Sequence, residues 1–201
     1  MDKTERRYYM VRAMKSTERD FAIFFNNSVV AVGWSKLDFS EYPVSETHRL
    51  REKVKNEYYC DDNIFPPYVS KKLNEVVMFH RMNDDDRIIV PYNSYIILGI
   101  VQSERIYDGS ADDADLCNQR KVQFFKQSDG QLKTIPRDDL SEGLQRRLRV
   151  RGRTISDLEE FRGEIDTLFS VEEIPAWELQ QHELRERIIN EQKNGLLKIL
   201  Q

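Results

Sequence analysis

The sequence predicts an α+β fold, because β-rich runs and helical apolar patterns alternate along one chain. The run Val29–Val32 is made of β-branched and small apolar residues, which favours a buried strand. Leu50, Val54 and Tyr58 recur at steps of four, the spacing of one face of a helix. At 201 residues the chain is long enough for one domain of ordinary size and an appendage.

Composition and charge indicate a soluble globular protein. Hydrophobic residues make up 39% of the chain, which is more than disordered sequences contain. The formal net charge of −4 means that any contact with nucleic acid depends on a local basic surface. Cys60 and Cys117 have no zinc-type spacing, so a reducing, cytoplasmic compartment is expected. The N-terminus lacks an apolar leader and the chain lacks a run of about 18 apolar residues, so neither secretion nor a membrane span is expected.

The first elements are predicted from strand and capping signals. A strand over residues 8–14 precedes Thr17 and Asp20, whose spacing of three is typical of a helix-capping pair. After that helix, the β-branched run is predicted to be a strand that ends at Gly33 and Trp34. Trp34 is therefore expected at the edge of a polar turn.

Two further helices and a hairpin are predicted next. Pro43 and Pro66 each precede an amphipathic pattern, as prolines do at helix starts. Residues 87–90 and 95–101 are β-rich and flank four turn-forming residues, PYNS, which predicts a hairpin. Residues 119–125 are predicted to be another strand.

The last part of the chain is predicted to be helical. One helix is indicated by leucines spaced by four, and another by a capping pair. The residues that carry these two patterns are Leu140, Leu144, Leu148, Thr154 and Asp157. We therefore divide the chain into a domain over residues 1–169 and a C-terminal helical tail over residues 170–201.

The sequence lacks the patterns that catalysis requires. His48, His80 and His182 lie far apart and outside any metal-binding motif. No nucleophile elbow, phosphate-binding loop or dinucleotide-binding glycine motif occurs. The acidic runs at 84–86 and 112–115 fall in predicted turns, where solvated carboxylates are commoner than Mg²⁺ sites. We expect no catalytic residue, no metal and no cofactor in this sequence.

The densest basic run, RRLRVRGR, is a candidate phosphate-binding surface. Guanidinium groups pair with phosphate oxygens and give a salt-sensitive affinity that does not depend on base sequence. The alternative is that the run is the solvated end of a helix. The candidate phosphate-binding residues are Arg146, Arg147, Arg149, Arg151 and Arg153.

Aromatic residues supply a candidate base pocket. An aromatic box can stack on a base that has been taken out of a duplex. Trp34, together with Tyr92 and Tyr95 of the predicted hairpin, is a candidate for such a box, and Ser35 and Asp38 are candidates for reading the base edge. The alternative for Trp34 is ordinary core packing.

Three motifs occur in an order that resembles a known family. They are VVAVGW at 29–34, DRIIVP at 86–91 followed by LGIV at 98–101, and RTI at 153–155. They resemble the "vvxiGW", "GDxVvvP", "iGxV" and "RTV" motifs of PUA-like (EVE, YTH and ASCH-related) reader domains, which are found at the N-terminus of Mrr-type modification-dependent restriction endonucleases. In that family a glycine stands where this chain has Asp85. The resemblance covers roughly residues 8–169.

The resemblance implies a twisted, partly closed β-barrel with helices packed around it. It also implies recognition of a modified base that is flipped out of DNA into a pocket between the barrel and the helices, with a basic rim on the DNA backbone. By matching position, the implied pocket residues are Arg12, Trp34, Ser35, Asp38 and Tyr92.

We therefore expect a nucleic-acid-binding reader without catalysis of its own. It would be the targeting part of a prokaryotic restriction or anti-phage system, with the nuclease supplied by a partner or by a further domain. One alternative is a protein-interaction or homo-oligomerisation module that uses residues 172–201. Another is an RNA reader of the YTH kind.

Overall fold

The fold is α+β, as the sequence predicts, and its centre is a curled, open sheet with helices packed around it. The computed structural model describes residues 5–13, 17–61, 64–127, 129–150 and 152–172, with the backbone alone at 103–104 and 171–172. Within those ranges the strands are β1 (Tyr8–Val11), β2 (Val29–Val32), β3 (Arg87–Tyr92), β4 (Tyr95–Tyr107), β5 (Asn118–Phe124), β6 (Thr134–Pro136) and β7 (Ile155–Asp157). The helices are α1 (Glu18–Asn26), α2 (Thr47–Tyr58), α3 (Pro66–His80), α4 (Glu142–Arg149) and α5 (Arg162–Glu172).

The strand order makes the sheet mixed. The path runs β2, β5, β4, β3, β1, β7, and β6 pairs with the first residues of β4. β1 and β3 are parallel, whereas the other described pairs are antiparallel. β2 and β7 form the two edges of this path, so the curled sheet is open.

The capping pair at the first helix is confirmed. The Thr17 hydroxyl accepts from the backbone N–H of Asp20 at 3.2 Å, and the Asp20 carboxylate accepts from the backbone N–H of Thr17 at 3.5 Å. These reciprocal bonds satisfy N–H groups that the first turn of a helix leaves without partners. β1 begins at Tyr8 as expected, and the end of the predicted strand, at residue 14, lies outside the described residues.

The predicted hairpin is also confirmed, with a tighter turn than the sequence indicates. Pro91 and Tyr92 continue the ladder opposite β4, so that two residues, Asn93 and Ser94, connect the strands. Asn93 has φ +50°, the left-handed conformation that such short hairpin turns favour. Just before β3, Asp85 also has a left-handed conformation, with φ +67°.

The helix predicted to begin at Thr154 is wrong. Ile155 and Ser156 pair with Val11 and Met10 of β1, so this segment is the edge strand β7. A 3₁₀ turn at Glu159–Phe161 follows, and α5 begins only after it. The open edge of β1 supplies backbone hydrogen bonds that outweigh the local capping signal, which is a tertiary effect.

The core lies between the concave sheet and α1, α2 and α3. Leu50 and Val54 of α2 and Leu73 and Val76 of α3 are buried in it, which confirms the predicted apolar faces. Each helix therefore packs its apolar stripe on the sheet, which is the usual source of helix stability in a globular protein.

A buried arginine of β5 stabilises the C-terminal end of α3. Arg120 is 1% exposed and donates to the carbonyls of Phe79, His80 and Met82, at 3.4, 2.8 and 2.6 Å. These carbonyls lie at and just beyond the end of the helix, where the helix itself leaves acceptors free; the Phe79 carbonyl also accepts from the Met82 N–H at 3.3 Å. Burial lowers the pKa of Arg120 to about 10.

The contacts divide the chain into two units, one ending at Arg162 and the other beginning at Gly163. The predicted helical tail falls almost wholly on residues 173–201, which lie outside the described residues, so the predicted boundary at 169 stays a prediction. Within the described ranges, no helix has both the length and the apolar character needed to cross a membrane.

Candidate functional site

The candidate site is built on the turn that follows β2, which we call the Trp34 turn (residues 33–39). Trp34 has φ +64°, a left-handed conformation that bulky residues rarely adopt. The turn closes with a hydrogen bond from the Leu37 N–H to the Trp34 carbonyl at 3.1 Å. Trp34 is 8% exposed and belongs to the core cluster.

Asn118, the first residue of β5, stabilises this turn through hydrogen bonds from its side chain. Its side-chain N–H₂ group donates to the carbonyls of Gly33, Trp34 and Leu37 at 3.1, 3.3 and 3.0 Å. Its amide oxygen accepts from the Phe39 N–H at 2.9 Å. One side chain, itself 1% exposed, therefore satisfies four backbone groups of the turn.

Asp115 holds the same turn from a second side. Its Oδ1 accepts from the backbone N–H and the hydroxyl of Ser35, at 3.1 and 2.8 Å. A Cβ built on Gly33 would overlap the Asp115 carboxylate, so this approach requires a glycine at position 33. The hydroxyl of Tyr107 donates to the Ser35 carbonyl at 2.5 Å.

Tyr58 at the end of α2, Tyr59 just after it and Tyr68 of α3 form, together with Trp34, what we call the aromatic cluster (Trp34, Tyr58, Tyr59 and Tyr68). The indole Nε1–H donates to the Tyr59 hydroxyl at 3.0 Å, and the ring centroids of Tyr59 and Tyr68 are 6.3 Å apart in an edge-to-face arrangement. Tyr68 is 46% exposed. The cluster therefore runs from the buried indole outward to an accessible ring.

Two hydroxyls of the cluster keep a proton that they can donate. Tyr59 accepts from Trp34, and Tyr58 accepts from the backbone N–H of Lys36 at 2.7 Å, which leaves each hydroxyl its own O–H. Burial raises the pKa of Tyr58 to about 12, and it also raises the pKa of Tyr59. Both groups are therefore neutral donors near neutral pH.

Two residues predicted to read a base edge belong to the same turn but are already engaged. Ser35 is 4% exposed, and its N–H and hydroxyl both donate to Asp115. Asp38 is half-buried and accepts from the N–H and hydroxyl of Ser40, at 2.7 and 2.6 Å, as the cap of a 3₁₀ turn. In the same region, Tyr58 and Tyr59 each keep a hydroxyl proton that a ligand could accept.

The structure does not bring the other two predicted aromatic residues to Trp34. Tyr95 begins β4, whereas Tyr107, which contacts the Trp34 turn, ends it. Strand β4 is 13 residues long, so its two ends are roughly 40 Å apart along the strand. Tyr92 packs instead against the ring of Phe21 in α1, with centroids 4.7 Å apart.

Arg12, which the resemblance assigns to the pocket, contacts the end of α4. Its guanidinium donates to the carbonyls of Leu148 and Val150 at 2.5 and 3.2 Å. Burial lowers the pKa of Arg12. Arg12 therefore lies with the basic segment and not with the aromatic cluster.

Two arginines of the basic run are engaged by the protein itself. Arg146 forms an exposed ion pair with Glu142, four residues earlier on α4, at 2.9 Å. Arg147 donates to the carbonyl of Asp157 at 3.1 Å and lies 3.7 Å from the Glu160 carboxylate. The contacts of Arg147 hold α4 against the segment around β7.

The rest of the run differs from residue to residue. Arg149 is exposed at the end of α4 and donates to Gln145 at 3.1 Å. Arg153 is half-buried, and Arg151 lies outside the described residues. The run is therefore not one continuous surface, and Arg149 is its most accessible described member near Arg12.

Several residues that form the site were not predicted from the sequence. They are Tyr59, Tyr68, Asp115 and Asn118. Asn118 donates to the carbonyl of Gly33, which is 85 positions away in the sequence, and no local pattern predicts such a contact. The pair Tyr58–Tyr59 at the end of an amphipathic helix was the available signal. Among the described residues, no three His, Cys, Asp or Glu side chains are placed to hold a metal ion.

No family model matches the sequence. No curated protein matches it either. The function must therefore be argued from the site itself.

Proposed function

We propose that this chain is a PUA-like nucleic-acid-binding domain that holds a modified base of DNA against the aromatic cluster. The observation that carries the proposal is the Trp34 turn, in which a strained tryptophan is fixed by Asn118 and Asp115 and joined to Tyr59. Strained residues that their surroundings hold in place are concentrated at binding sites.

The chemistry of the cluster suits a flat, polar-edged ligand. Aromatic side chains stack on nucleobases, and each stack is worth about 1–3 kcal/mol. The exposed ring of Tyr68 offers the stacking surface, and the hydroxyls of Tyr58 and Tyr59 offer donors to acceptors on the base edge. Trp34 forms the inner wall, and its indole N–H holds the hydroxyl of Tyr59.

The family resemblance supports the same proposal at one informative position. Asp85 stands where the PUA-like family has glycine, and it has φ +67°, a conformation that favours glycine. Aspartate is among the residues that tolerate this region best. The turn before β3 is thus compatible with the family pattern despite the substitution.

Binding to matched DNA duplexes tests the proposal. Fluorescence polarisation would compare short duplexes that carry cytosine, 5-methylcytosine, 5-hydroxymethylcytosine or N6-methyladenine, at low and moderate salt. We expect one modification to be preferred. RNA and single-stranded DNA of the same sequence test the alternative of an RNA reader of the YTH kind.

A pair of equally exposed tyrosines gives the matched control. Tyr68 and Tyr95 are 46% and 42% exposed, and Tyr95 lies at the opposite end of β4 from the Trp34 turn. We expect Tyr68→Ala to lose the preference, with affinity for the preferred duplex reduced roughly tenfold or more. Tyr95→Ala should keep the ratio between modified and unmodified DNA.

Two results would contradict the proposal. If Tyr68→Ala kept the preference and Tyr95→Ala lost it, the base would bind at the hairpin end of the sheet. If the chain bound no nucleic acid even at low salt, the alternative of a protein-interaction module would take its place. Phe65, which is 69% exposed and lies three residues before Tyr68, would then be the first residue to test for binding to a protein.

A further inference from the structure

Three arginines from separate elements meet at the hairpin end of the sheet. Met10 of β1 is level with Ile89 of β3, so Arg12, two residues later, lies beside the end of the hairpin. Arg137 follows β6, and its Nε donates to the carbonyl of Tyr95 at 3.2 Å, while its backbone N–H donates to the Ser94 carbonyl. Both arginines therefore flank the same turn.

Arg149 joins this pair through the end of α4. The guanidinium of Arg12 donates to Leu148 and Val150, the two neighbours of Arg149 in the chain. Burial lowers the pKa of Arg137, and the nearby charges of Arg12 and Arg149 lower it further. Three like charges thus face one another across this end of the protein.

The described residues do not neutralise these charges. Within the described ranges, no carboxylate forms an ion pair with Arg12, Arg137 or Arg149, whereas Arg146 is paired with Glu142 on the same helix. The hydrogen bonds of the three arginines to carbonyls and to Gln145 use only part of the five N–H donors that each guanidinium carries. An anion between them would relieve the repulsion and accept the remaining donors.

We propose that Arg12, Arg137 and Arg149 form a binding site for a phosphodiester of the nucleic-acid backbone. The proposal rests on the function proposed above and replaces the continuous arginine run with a site assembled from three elements. Guanidinium groups bind phosphate oxygens in a bidentate manner, and they remain charged at any physiological pH. A phosphodiester is favoured over a free phosphate because a backbone presents such groups in series. The ammonium group of Lys71 is a further positive charge, near Gly152, two residues after the Val150 carbonyl to which Arg12 donates.

Salt-dependent binding to an unmodified duplex tests the site. Arg137→Gln and Arg149→Gln remove one charge each, and Arg146→Gln removes an exposed charge from the same helix as a matched control. We expect each of the first two variants to bind several-fold more weakly, equally for modified and unmodified DNA. The slope of log affinity against log salt should fall by about 1 for each phosphate that the variant no longer binds.

The outcomes separate the site from the proposed function. Unchanged affinity and slope in both variants, while the wild-type chain binds DNA, would overturn the site and leave the function standing. An equally large decrease in affinity in Arg146→Gln would also overturn the site, because it would show that any positive charge on this surface contributes equally to binding. If wild-type protein bound no duplex, the function and the site would fall together.

Two further measurements serve as controls for this experiment. Thermal unfolding of each variant shows whether it is folded, and the exposed Arg149 keeps the test valid if Arg137→Gln is unstable. Inorganic phosphate serves as a competitor. If phosphate displaces the duplex only at concentrations where NaCl of equal ionic strength does the same, the result supports a backbone site. Displacement at far lower phosphate concentrations would point to a free-phosphate site and overturn the phosphodiester assignment.

Discussion

Trp34 has a backbone conformation that costs free energy, and its neighbours compensate for it. A left-handed conformation of a bulky residue costs on the order of 1–3 kcal/mol. The hydrogen bonds of Asn118 to Gly33 and Trp34 are buried and those of Asp115 with Ser35 are partly buried, and a buried polar group left unsatisfied would cost a similar amount. The turn is therefore stabilised by side chains that are far away in sequence.

A substitution at Gly33 should disturb this arrangement. In Gly33→Ala the new methyl group overlaps the Asp115 carboxylate, which must move away from Ser35. We expect the free energy of unfolding, measured by urea denaturation, to fall by about 1–3 kcal/mol. Gly163→Ala is the control, because its methyl group would meet no described atom within 4 Å outside its own helix. Equal stability of Gly33→Ala and wild type would contradict the close approach of Asp115.

His80 is a second residue whose environment has a measurable consequence. It is 1% exposed, and its Nε2 lies 2.8 Å from the Tyr42 carbonyl, which can only accept, so Nε2 carries a proton. Its Nδ1 faces the Thr47 hydroxyl at 2.9 Å. Burial lowers the pKa of His80, and the charges of Arg105 and Arg120 act in the same direction.

Stability should therefore fall in mild acid. Because the folded-state pKa of His80 lies below its ordinary value of 6.5, the unfolded chain takes up a proton first as pH drops. The free energy of unfolding should decrease below about pH 6.5, by no more than about 1.4 kcal/mol per pH unit for this one group. In His80→Gln the decrease over this range should be smaller, whereas His48→Gln, at an exposed position, should behave as wild type. Identical pH profiles for wild type and His80→Gln would contradict the prediction.

The sequence predicts single residues well where the interaction is local. Thr17 and Asp20 are three residues apart, and their capping bonds form as expected. Ser35 was predicted to face a ligand, yet Asp115 binds it from 80 positions away. Residue type and spacing cannot reveal a partner that the fold alone brings near.

Strand β5 connects the Trp34 turn to α3. Asn118 and Arg120 are two residues apart, so their side chains point to the same face of the sheet. Asn118 holds the Trp34 turn, and Arg120 holds the end of the helix that carries Tyr68. This strand therefore sets the position of the buried wall of the aromatic cluster relative to its exposed ring.

Removal of the arginine should weaken this connection. In Arg120→Met the buried carbonyls at the end of α3 lose their donor, at roughly 1–3 kcal/mol for each acceptor left unsatisfied. Removal of a desolvated charge offsets part of this cost, so we expect a net decrease of about 2 kcal/mol or more in the free energy of unfolding, measured by urea denaturation. Lys121→Met, on the opposite face of β5, should change stability by no more than about 0.5 kcal/mol. Similar decreases in both variants would contradict the role of Arg120.

Elements were predictable where their own pattern decided the outcome. The helix that starts at Pro66 and the hairpin of β3 and β4 form as the sequence indicates. The segment after Thr154 carries a capping signal and an apolar spacing, yet it becomes β7 because β1 offers an open edge. Strand pairing between distant segments is decided by the sheet and not by the segment.

The basic and aromatic features of the chain are connected along α3. Tyr68 and Lys72 are four residues apart on one face of the helix, and Lys72 donates to the carbonyl of Gly152. Gly152 follows the segment that Arg12 contacts at Val150. Helix α3 therefore contacts both the aromatic cluster, through Tyr68, and the segment after α4, through Lys72.

The family resemblance assigns Arg12, Trp34 and Tyr92 to one pocket, and the structure does not bring these three residues together. It implies an aromatic pocket with a basic rim, and the structure shows that Tyr92 and Arg12 lie at the other end of the sheet from Trp34. Strand direction explains the difference: β1 and β2 run in opposite directions, so residues that end each strand lie at opposite ends. Short motifs carry no information about strand direction.

The fluorescence of Trp34 during DNA binding tests the central proposal most directly. Trp34 and Trp177 are the two tryptophans of the chain, so Trp177→Phe leaves Trp34 as the reporter. A base that packs against the aromatic cluster should quench or shift the Trp34 emission on addition of the preferred duplex, with the same midpoint as fluorescence polarisation. The change should be absent in Trp177→Phe combined with Tyr68→Ala. Selective binding by polarisation without any change in Trp34 emission would show that the base binds elsewhere and would contradict the account.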